Sequence, residues 1–390
     1  MKISIFTDGF SPYISGVTTA VVSQVAHLAE RGHEMSIVSP SPSHAALWLA
    51  EHGRVQISRM ALSIRWPFLN GLWLGIPTLI NSLTLLKNFA PDIVHLHSEG
   101  AAGLEGLLAS RLLGLPVIGN FSTLFANQEY LSSYHIPSGP FFQRLMWQYQ
   151  SWFFNSCDLV IAPSRTTRDL LQNSGLIREI KVVSNGTVQP TGHYKLSKKD
   201  LRQQYGCADS FNLIYVGRVS KEKSLEIALA AFDKVCKKYI QVRFIIIGDG
   251  NYMSQLKRHI SKATNKNQYI LLGEIPHDDL IGLGLFRLGD VFVMPSKTET
   301  EGIAMREAMA FELPVIAVAA NASAEVVSHA FNGLLATPDS VDEIALLLEE
   351  VLNNPEQLSK MSDNAGKTAN EYWVKYTVRQ LEEIYSSIAV

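Results

Sequence analysis

Short apolar runs recur along the chain at residues 3–6, 35–38, 93–96, 116–120 and 159–162, each bounded by polar or turn-forming residues. Between them lie longer stretches, at residues 17–30, at 103–113 and from Ser164 onward, in which apolar positions fall three and four apart, and Gly32 closes the first. Short, mainly apolar runs suit strands buried on both faces, and the longer period suits helices packed on them. Their alternation predicts a parallel sheet covered on both sides. A polar stretch at 189–199 interrupts the pattern. A second series then follows at 212–216, 243–247, 269–272, 290–294 and 314–317, with a helix expected over about 224–239. Two α/β lobes are therefore expected, with a boundary near residues 188–205, and the last segment, 370–387, has a helical pattern.

A chain of 390 residues suits about two domains of roughly 150 residues each. With 47% hydrophobic residues, 18% charged and a formal charge of -2, it is neither disordered nor fibrous, and nothing calls for nucleic acid as a partner. Cys157, Cys207 and Cys236 lack the spacing of a zinc site or disulfide framework, so a reducing, cytoplasmic location is expected. Asp8 follows the first apolar run too soon for a secretory signal. The most apolar stretch, 68–86, is broken by Asn70, Gly71, Pro77 and Asn81, so no transmembrane helix is expected. Charge is uneven: residues 195–266 hold 15 Lys/Arg against 6 Asp/Glu, and the chain from 271 onward holds 7 against 19. That asymmetry fits solvated helix faces, or a basic surface for a diphosphate or an anionic membrane.

Ligands of open parallel sheets bind beyond the carboxyl ends of the strands, so the segments after the apolar runs are where chemistry is sought. After 290–294 comes Pro295-Ser296-Lys297-Thr298-Glu299-Thr300-Glu301-Gly302-Ile303-Ala304-Met305-Arg306-Glu307-Ala308-Met309. Gly302 frees the backbone to approach a ligand. A helix starting near Ile303 offers unpaired N–H groups and the positive end of its dipole, which suit a diphosphate. Ionised Glu299 and Glu307 act only as acceptors, as sugar hydroxyls require. Three glutamates near a helix start also fit simple dipole pairing, and the residues alone leave both readings open.

After 212–216 comes Val216-Gly217-Arg218-Val219-Ser220-Lys221-Glu222-Lys223. Arg218 and Lys223, five residues apart, could clamp two phosphates, one by a planar fork and the other as a point charge. Such cations would stabilise charge on a departing diphosphate, while a solvated loop is the plainer alternative. In the first lobe, Thr7-Asp8-Gly9-Phe10-Ser11-Pro12-Tyr13-Ile14-Ser15-Gly16-Val17 joins strand to helix, and Gly16 either lets an amide touch phosphate or simply turns the chain. Gly248-Asp249-Gly250 lacks the remaining glycine of a dinucleotide fingerprint and lies too late in the chain. His95 and His97 are placed on opposite faces of their strand, one in the core and one toward a cleft, a poor arrangement for sharing a metal.

Together, Gly16, the Arg218 and Lys223 pair, and two glutamates with seven residues between them resemble the retaining glycosyltransferases of family 4, which have the GT-B fold. Asp8-x-Phe10-x-Pro12-x-x-x-Gly16-Val17, Pro91-Asp92-Ile93-Val94-His95, Pro163-Ser164, Asn185-Gly186, and Glu307-Ala308-Met309-Ala310 before Leu313-Pro314-Val315 stand in that family's order over nearly the whole chain. The resemblance implies an α/β architecture of two Rossmann-like lobes facing a central cleft. Residues 1–190 would be an acceptor-binding domain, 205–370 a nucleotide-sugar-binding domain, and 371–390 a helix packing back on the first. It also implies a hexosyltransferase in which Glu299, Arg218 and Lys223 are catalytic. Arg218 and Lys223 would hold the diphosphate, Glu299 the sugar hydroxyls and Glu307 the ribose, with Gly16 and amides near Gly302 and Ile303 assisting. Ser122 and His97 are the acceptor-side candidates. The family's scheme is front-face attack with retention, in which the leaving phosphate helps deprotonate the acceptor. No metal and no cofactor are expected beyond the UDP- or GDP-linked donor itself.

Three residues depart from the family pattern. Phe121-Ser122-Thr123 replaces a common His-Thr, Arg306 stands where an apolar residue is usual, and Val188 stands where an Asp often follows Asn-Gly. Thr298-Glu299-Thr300-x-Gly302, Ile14-Ser15-Gly16-Val17, and the segment from Trp66-Pro67-Phe68 to Gly75-Ile76-Pro77 look most like glycosyltransferases of diacylglycerol and phosphatidylinositol, which act at the cytoplasmic membrane surface. Trp66, Phe68, Trp73, Phe141, Phe142, Trp147, Trp152 and Phe153 could meet lipid or could be core. The expected acceptor is thus a membrane lipid such as diacylglycerol, with a soluble sugar or polysaccharide precursor as the alternative. A catalytically silent nucleotide-sugar-binding homologue and a two-lobed solute receptor are the readings from other classes.

Overall fold

The computed structural model describes residues 1–11, 16–41, 53–66, 72–124, 131 and 139–389. It divides into two compact units, Met1–Gly186 with Val374–Val390, and Thr187–Trp373. Unit 1 contains β1 (Lys2–Phe6), α1 (Gly16–Glu30), β2 (Glu34–Ser39), β3 (Val55–Arg59), the antiparallel pair β4 (Leu62–Arg65) and β5 (Trp73–Ile76), and α2 (Ile80–Phe89). It continues with β6 (Ile93–Leu96), α3 (Ala101–Leu113), β7 (Val117–Asn120), α4 (Pro140–Asn155), β8 (Leu159–Ala162), α5 (Arg165–Asn173) and β9 (Ile180–Val182). Seven of these strands form one parallel sheet in the order β3-β2-β1-β6-β7-β8-β9. β6, β7 and β8 are buried along their whole length, as a sheet covered on both faces demands of its inner strands.

Unit 2 contains α6 (Lys198–Gln204), β10 (Phe211–Val216), α7 (Leu225–Cys236), β11 (Val242–Ile247), α8 (Met253–Lys262), β12 (Tyr269–Gly273), α9 (His277–Gly282) and β13 (Val291–Met294). It ends with α10 (Ile303–Ala310), β14 (Val315–Val318), α11 (Ser323–Val326), β15 (Gly333–Ala336), α12 (Val341–Asn353) and α13 (Pro355–Ala369). Its sheet is also parallel, in the order β12-β11-β10-β13-β14-β15. The strand order reverses between β1 and β6 in unit 1 and between β10 and β13 in unit 2. At such a reversal, neighbouring loops leave in opposite directions and open a crevice at the carboxyl edge.

The chain ends in α14 (Val374–Ile388), which packs on unit 1 through Val374, Val378, Leu381, Ile384 and Tyr385 against Val21, Val25 and Leu28 of α1. The i, i+4, i+7 spacing of the first three of these residues is what puts them on one helical face. Glu382 adds a fork to Arg31 at 2.7 Å and a contact to His33 at 2.9 Å. The fully buried Tyr385 hydroxyl meets Nδ1 of His95 at 2.7 Å.

Strands β3, β9 and β15 escape the sequence pattern: β9 is Ile-Lys-Val and mostly exposed, β3 alternates Val-Gln-Ile-Ser-Arg, and β15 is the four-residue run Gly-Leu-Leu-Ala. The β4–β5 pair falls in the segment read above only as an interrupted apolar stretch.

Replacing Tyr385 by Ala empties a fully buried site and leaves His95 without its partner. The expected cost is about 3–5 kcal/mol, confined to unit 1. Native-state hydrogen exchange checks it: amides of β1, β6 and α1 should speed up while those of β10 and β13 do not, and a loss shared equally by both units would contradict it.

Candidate functional site

The loops after β10 and β13 leave adjacent, hydrogen-bonded strands at the reversal point of unit 2. They meet. The Ser296 and Thr298 hydroxyls donate to the carbonyl of Glu222 at 3.2 and 3.3 Å, and Nζ of Lys223 contacts Oε1 of Glu299 at 2.6 Å. Two further loops join at the same edge. Gly217 and Val219 donate their amides to the carbonyls of Ile247 and Asp249, so the loop after β11 braces the one after β10. This gives Gly248 its role: a Cβ there would lie 1.9 Å from the Gly217 carbonyl oxygen, a backbone contact that cannot yield. The glycines that fail as a dinucleotide fingerprint serve instead to hold the Arg218 loop.

The cations are not free heads awaiting phosphate. Nη2 of Arg218 pairs with Oε1 of Glu222 at 2.9 Å, and Glu222 is only 2% exposed. Ser220 donates to the same carboxylate. Lys223 and Glu299 form the second pair. Burial opposes ionisation of Glu299, yet Lys223, Ser296 and Arg218 outweigh it and hold the carboxyl below its ordinary range. The buried Tyr215 hydroxyl, kept protonated by burial beside Glu299 and Glu222, donates to the Arg218 carbonyl at 2.8 Å. Each cation is thus oriented by a carboxylate, which limits the rotamer freedom that a ligand would otherwise have to freeze. Glu222 was not identified from the sequence: residues 218–220 form a loop, where the helical i, i+4 rule gives no expectation of pairing.

Gly302, with φ 75°, caps α10, and the helix begins at Ile303 as its position after a left-handed residue requires. Glu307, 6% exposed, contacts Nε2 of His277 at 2.7 Å. His277 opens α9 after β12, so a third strand end is linked to α10. Burial disfavours the charged imidazole, but Glu307 and Asp278 outweigh it and hold its pKa above 6.5. Sequence reading overlooked His277, although its place just beyond β12 obeys the same carboxyl-edge rule. Arg306 is buried with Glu301 at 3.1 Å, and Val188 packs against the core of unit 2, so both departures from the family pattern are absorbed by local partners.

In unit 1, Gly16 is the exposed first residue of α1, while residues 12–15 of its motif lie outside the described residues. Ser122, beyond β7, accepts from Nδ2 of Asn120 at 3.0 Å. The placement of His95 and His97 on opposite faces needs correction: strand residues two apart share a face. Their rings lie 4.1 Å apart, and both side chains are buried. Burial, with His97 adding to it, lowers His95 well below the usual imidazole value and takes His97 down to about 3, so both are neutral. Nearby, Asp8 accepts from the Ser98 hydroxyl and the Ala102 amide, and burial nonetheless raises it. Burial pushes Glu99, which accepts from Gln150, up to about 7.

The aromatic residues divide. Phe153 is core, and Arg59 lies over the Trp73 ring at 4.7 Å. Phe68 lies outside the described residues. On α4, Phe141, Arg144, Leu145, Gln148 and Trp152 fall at i, i+3, i+4, i+7 and i+11 and form its exposed face, with Phe141 82% exposed. Among the described residues no helix is long and apolar enough to cross a membrane, and no group of three or more His, Cys, Asp or Glu could hold a metal ion.

The family model for glycosyl transferases group 1 matches residues 197–368, and that for glycosyltransferase family 4 matches residues 14–188. The chain is 28% identical to the alpha-monoglucosyldiacylglycerol synthase of Acholeplasma laidlawii over 395 residues, 99% of this chain and 96% of that one. It is 28% identical to a GDP-mannose-dependent alpha-mannosyltransferase of Mycolicibacterium smegmatis over 347 residues, 88% of this chain and 86% of the relative. The crystal structure of HepE of Anabaena in complex with UDP-glucose matches with a TM-score of 0.81 at 21% identity, covering 99% of this chain and 100% of that one, a likeness of fold.

The raised value of His277 means that its pairing stabilises fully below the unfolded-state value and is lost as pH rises through the folded one. An NMR titration should place the His277 midpoint above 6.5, and Glu307→Gln should lower it. A wild-type midpoint at or below 6.5 would contradict the pairing.

Proposed function

The chain belongs to glycosyltransferase family 4 and has its GT-B fold of two Rossmann-like units, and from that premise we propose that it moves a hexose from a nucleotide-diphosphate sugar to a membrane lipid such as diacylglycerol. The contact between Lys223 and Glu299 carries this reading, because it joins a phosphate-suited loop to a hydroxyl-suited one at the reversal point of the sheet. Arg218 and Lys223 meet the diphosphate, helped by the start of α10, and Glu299 and Glu307 accept from hydroxyls of sugar and ribose. As the bond from the anomeric carbon to the diphosphate oxygen breaks, the acceptor oxygen bonds on the same face and its proton passes to the departing phosphate. The configuration is retained. The growing charge on the leaving group is met by guanidinium, ammonium and amide hydrogens, without a metal.

Two observations support a lipid acceptor. One is the full-length similarity to a relative named for monoglucosyldiacylglycerol synthesis. The other is the exposed face of α4, where Phe141, Leu145 and Trp152 accompany Arg144, a composition suited to lying in a lipid interface at the cytoplasmic face of a membrane. A soluble sugar or polysaccharide precursor is the second reading.

Purified protein given radiolabelled UDP- or GDP-hexose should transfer label into the organic phase only when diacylglycerol vesicles are present. Label in a water-soluble product selects the second reading, and donor binding without turnover selects a silent homologue. Lys223→Ala should lower turnover by about two orders of magnitude, the roughly 3 kcal/mol expected of one electrostatic contact to a departing oxyanion. Unchanged turnover in that variant would remove the role assigned to Lys223.

A further inference from the structure

Arg306 stands beside Glu307 on α10, yet its guanidinium goes to other partners. Nη1 lies 3.1 Å from Oε1 of Glu301, and the guanidinium carbon lies 3.9 Å from the centre of the Tyr372 ring. The two charged side chains are 4% and 3% exposed, so the pair is withdrawn from water at a desolvation cost that an apolar pair of similar volume would not incur. Such a pair adds little to stability, but it specifies geometry, because an arginine fork over a ring accepts few arrangements.

Its two ends are informative. Glu301 lies in the loop that carries Glu299 and ends at Gly302. Tyr372 closes a short 3-10 turn, Asn370–Tyr372, and its carbonyl accepts both the amide and the hydroxyl of Thr187, at 2.8 and 3.2 Å. Thr187 is the residue at which the chain enters unit 2, and Trp373, bridged to it, is the residue at which the chain leaves. A continuous set of contacts, Glu301 to Arg306 to Tyr372 to Thr187, therefore joins the loop proposed to hold the sugar to both crossing points of the backbone.

We infer that Arg306 is a positioning residue that fixes the Glu299 loop through Glu301 and couples its conformation to the crossing segment at Thr187 and Tyr372. The inference rests on the donor reading proposed above for that loop. It also explains how a charge is accommodated at a position suited to an apolar residue: Glu301 supplies the partner without which Arg306 would be a buried unpaired charge.

Hydrogen exchange measured with saturating UDP-glucose, and in a parallel arm GDP-mannose, tests it. In the wild type, one of these ligands should slow exchange at residues 295–303 and also at 187 and 370–373. In the Glu301→Met, Arg306→Met double variant, which orphans no charge, the same ligand should protect 295–303 alone. Turnover should fall about tenfold with KM for the donor changed less, a size typical of coupling through packed networks. Tyr372→Leu, which keeps the ion pair, should give the same separation and serves if the double variant does not fold. Wild-type protection confined to 295–303, or variants that still protect 370–373, would overturn the inference while leaving the donor reading intact. No protection of 295–303 by either ligand would overturn both.

Discussion

The ion pair between Lys223 and Glu299 is the interaction on which the site depends. Both charges are largely withdrawn from water, Glu299 more than Lys223, and the desolvation penalty this carries is offset by a close, hydrogen-bonded partner. The pair exists because β10 and β13 are neighbours at the one place in the sheet where strand order reverses, so their loops emerge side by side. Topology supplies the proximity and charge neutralisation makes it stable.

From that pair the rest of the edge follows. Glu222 holds Arg218 as Glu299 holds Lys223, the Gly248 turn backs the Arg218 loop, and His277 brings the end of β12 to Glu307. Four strand ends are thereby tied by backbone bonds or ion pairs at one edge of unit 2. In the reading proposed above, a diphosphate arriving there would find cations already oriented, and Glu299, which orients Lys223, would also receive sugar hydroxyl hydrogens. The corresponding edge of unit 1 is built differently: His95 and His97 are neutral, and Asp8 and Glu99 are held toward their protonated forms.

The inner strands were legible in the sequence because burial on both faces leaves mainly apolar residues, as in Val291–Met294 and Leu159–Ala162. The edge strand Ile180–Val182 was not, since two of its three residues face water. In the site, the residues at loop positions after strands, Arg218, Lys223 and Glu299, could be picked out by charge and by the carboxyl-edge rule. Their partners could not: Glu222 looked like one more charge in a lysine-rich turn, and the pairing of His277 with Glu307 joins residues 30 apart. The misplacement of His95 and His97 was an error of periodicity, corrected by the sharing of one face by strand residues two apart. Arg306 read as a departure from pattern because its compensating partner, Glu301, was counted among acidic residues at a helix start rather than as half of a pair.

The central claim is that a nucleotide-diphosphate sugar sits where the loops after β10 and β13 meet. Photoaffinity labelling with azido-UDP-glucose and azido-GDP-mannose, followed by peptide mapping, tests it most directly. The account predicts that label falls on peptides containing residues 217–224 and 295–307 and is displaced by unmodified donor. Specific, displaceable label confined to other parts of unit 2 or to unit 1 would contradict it.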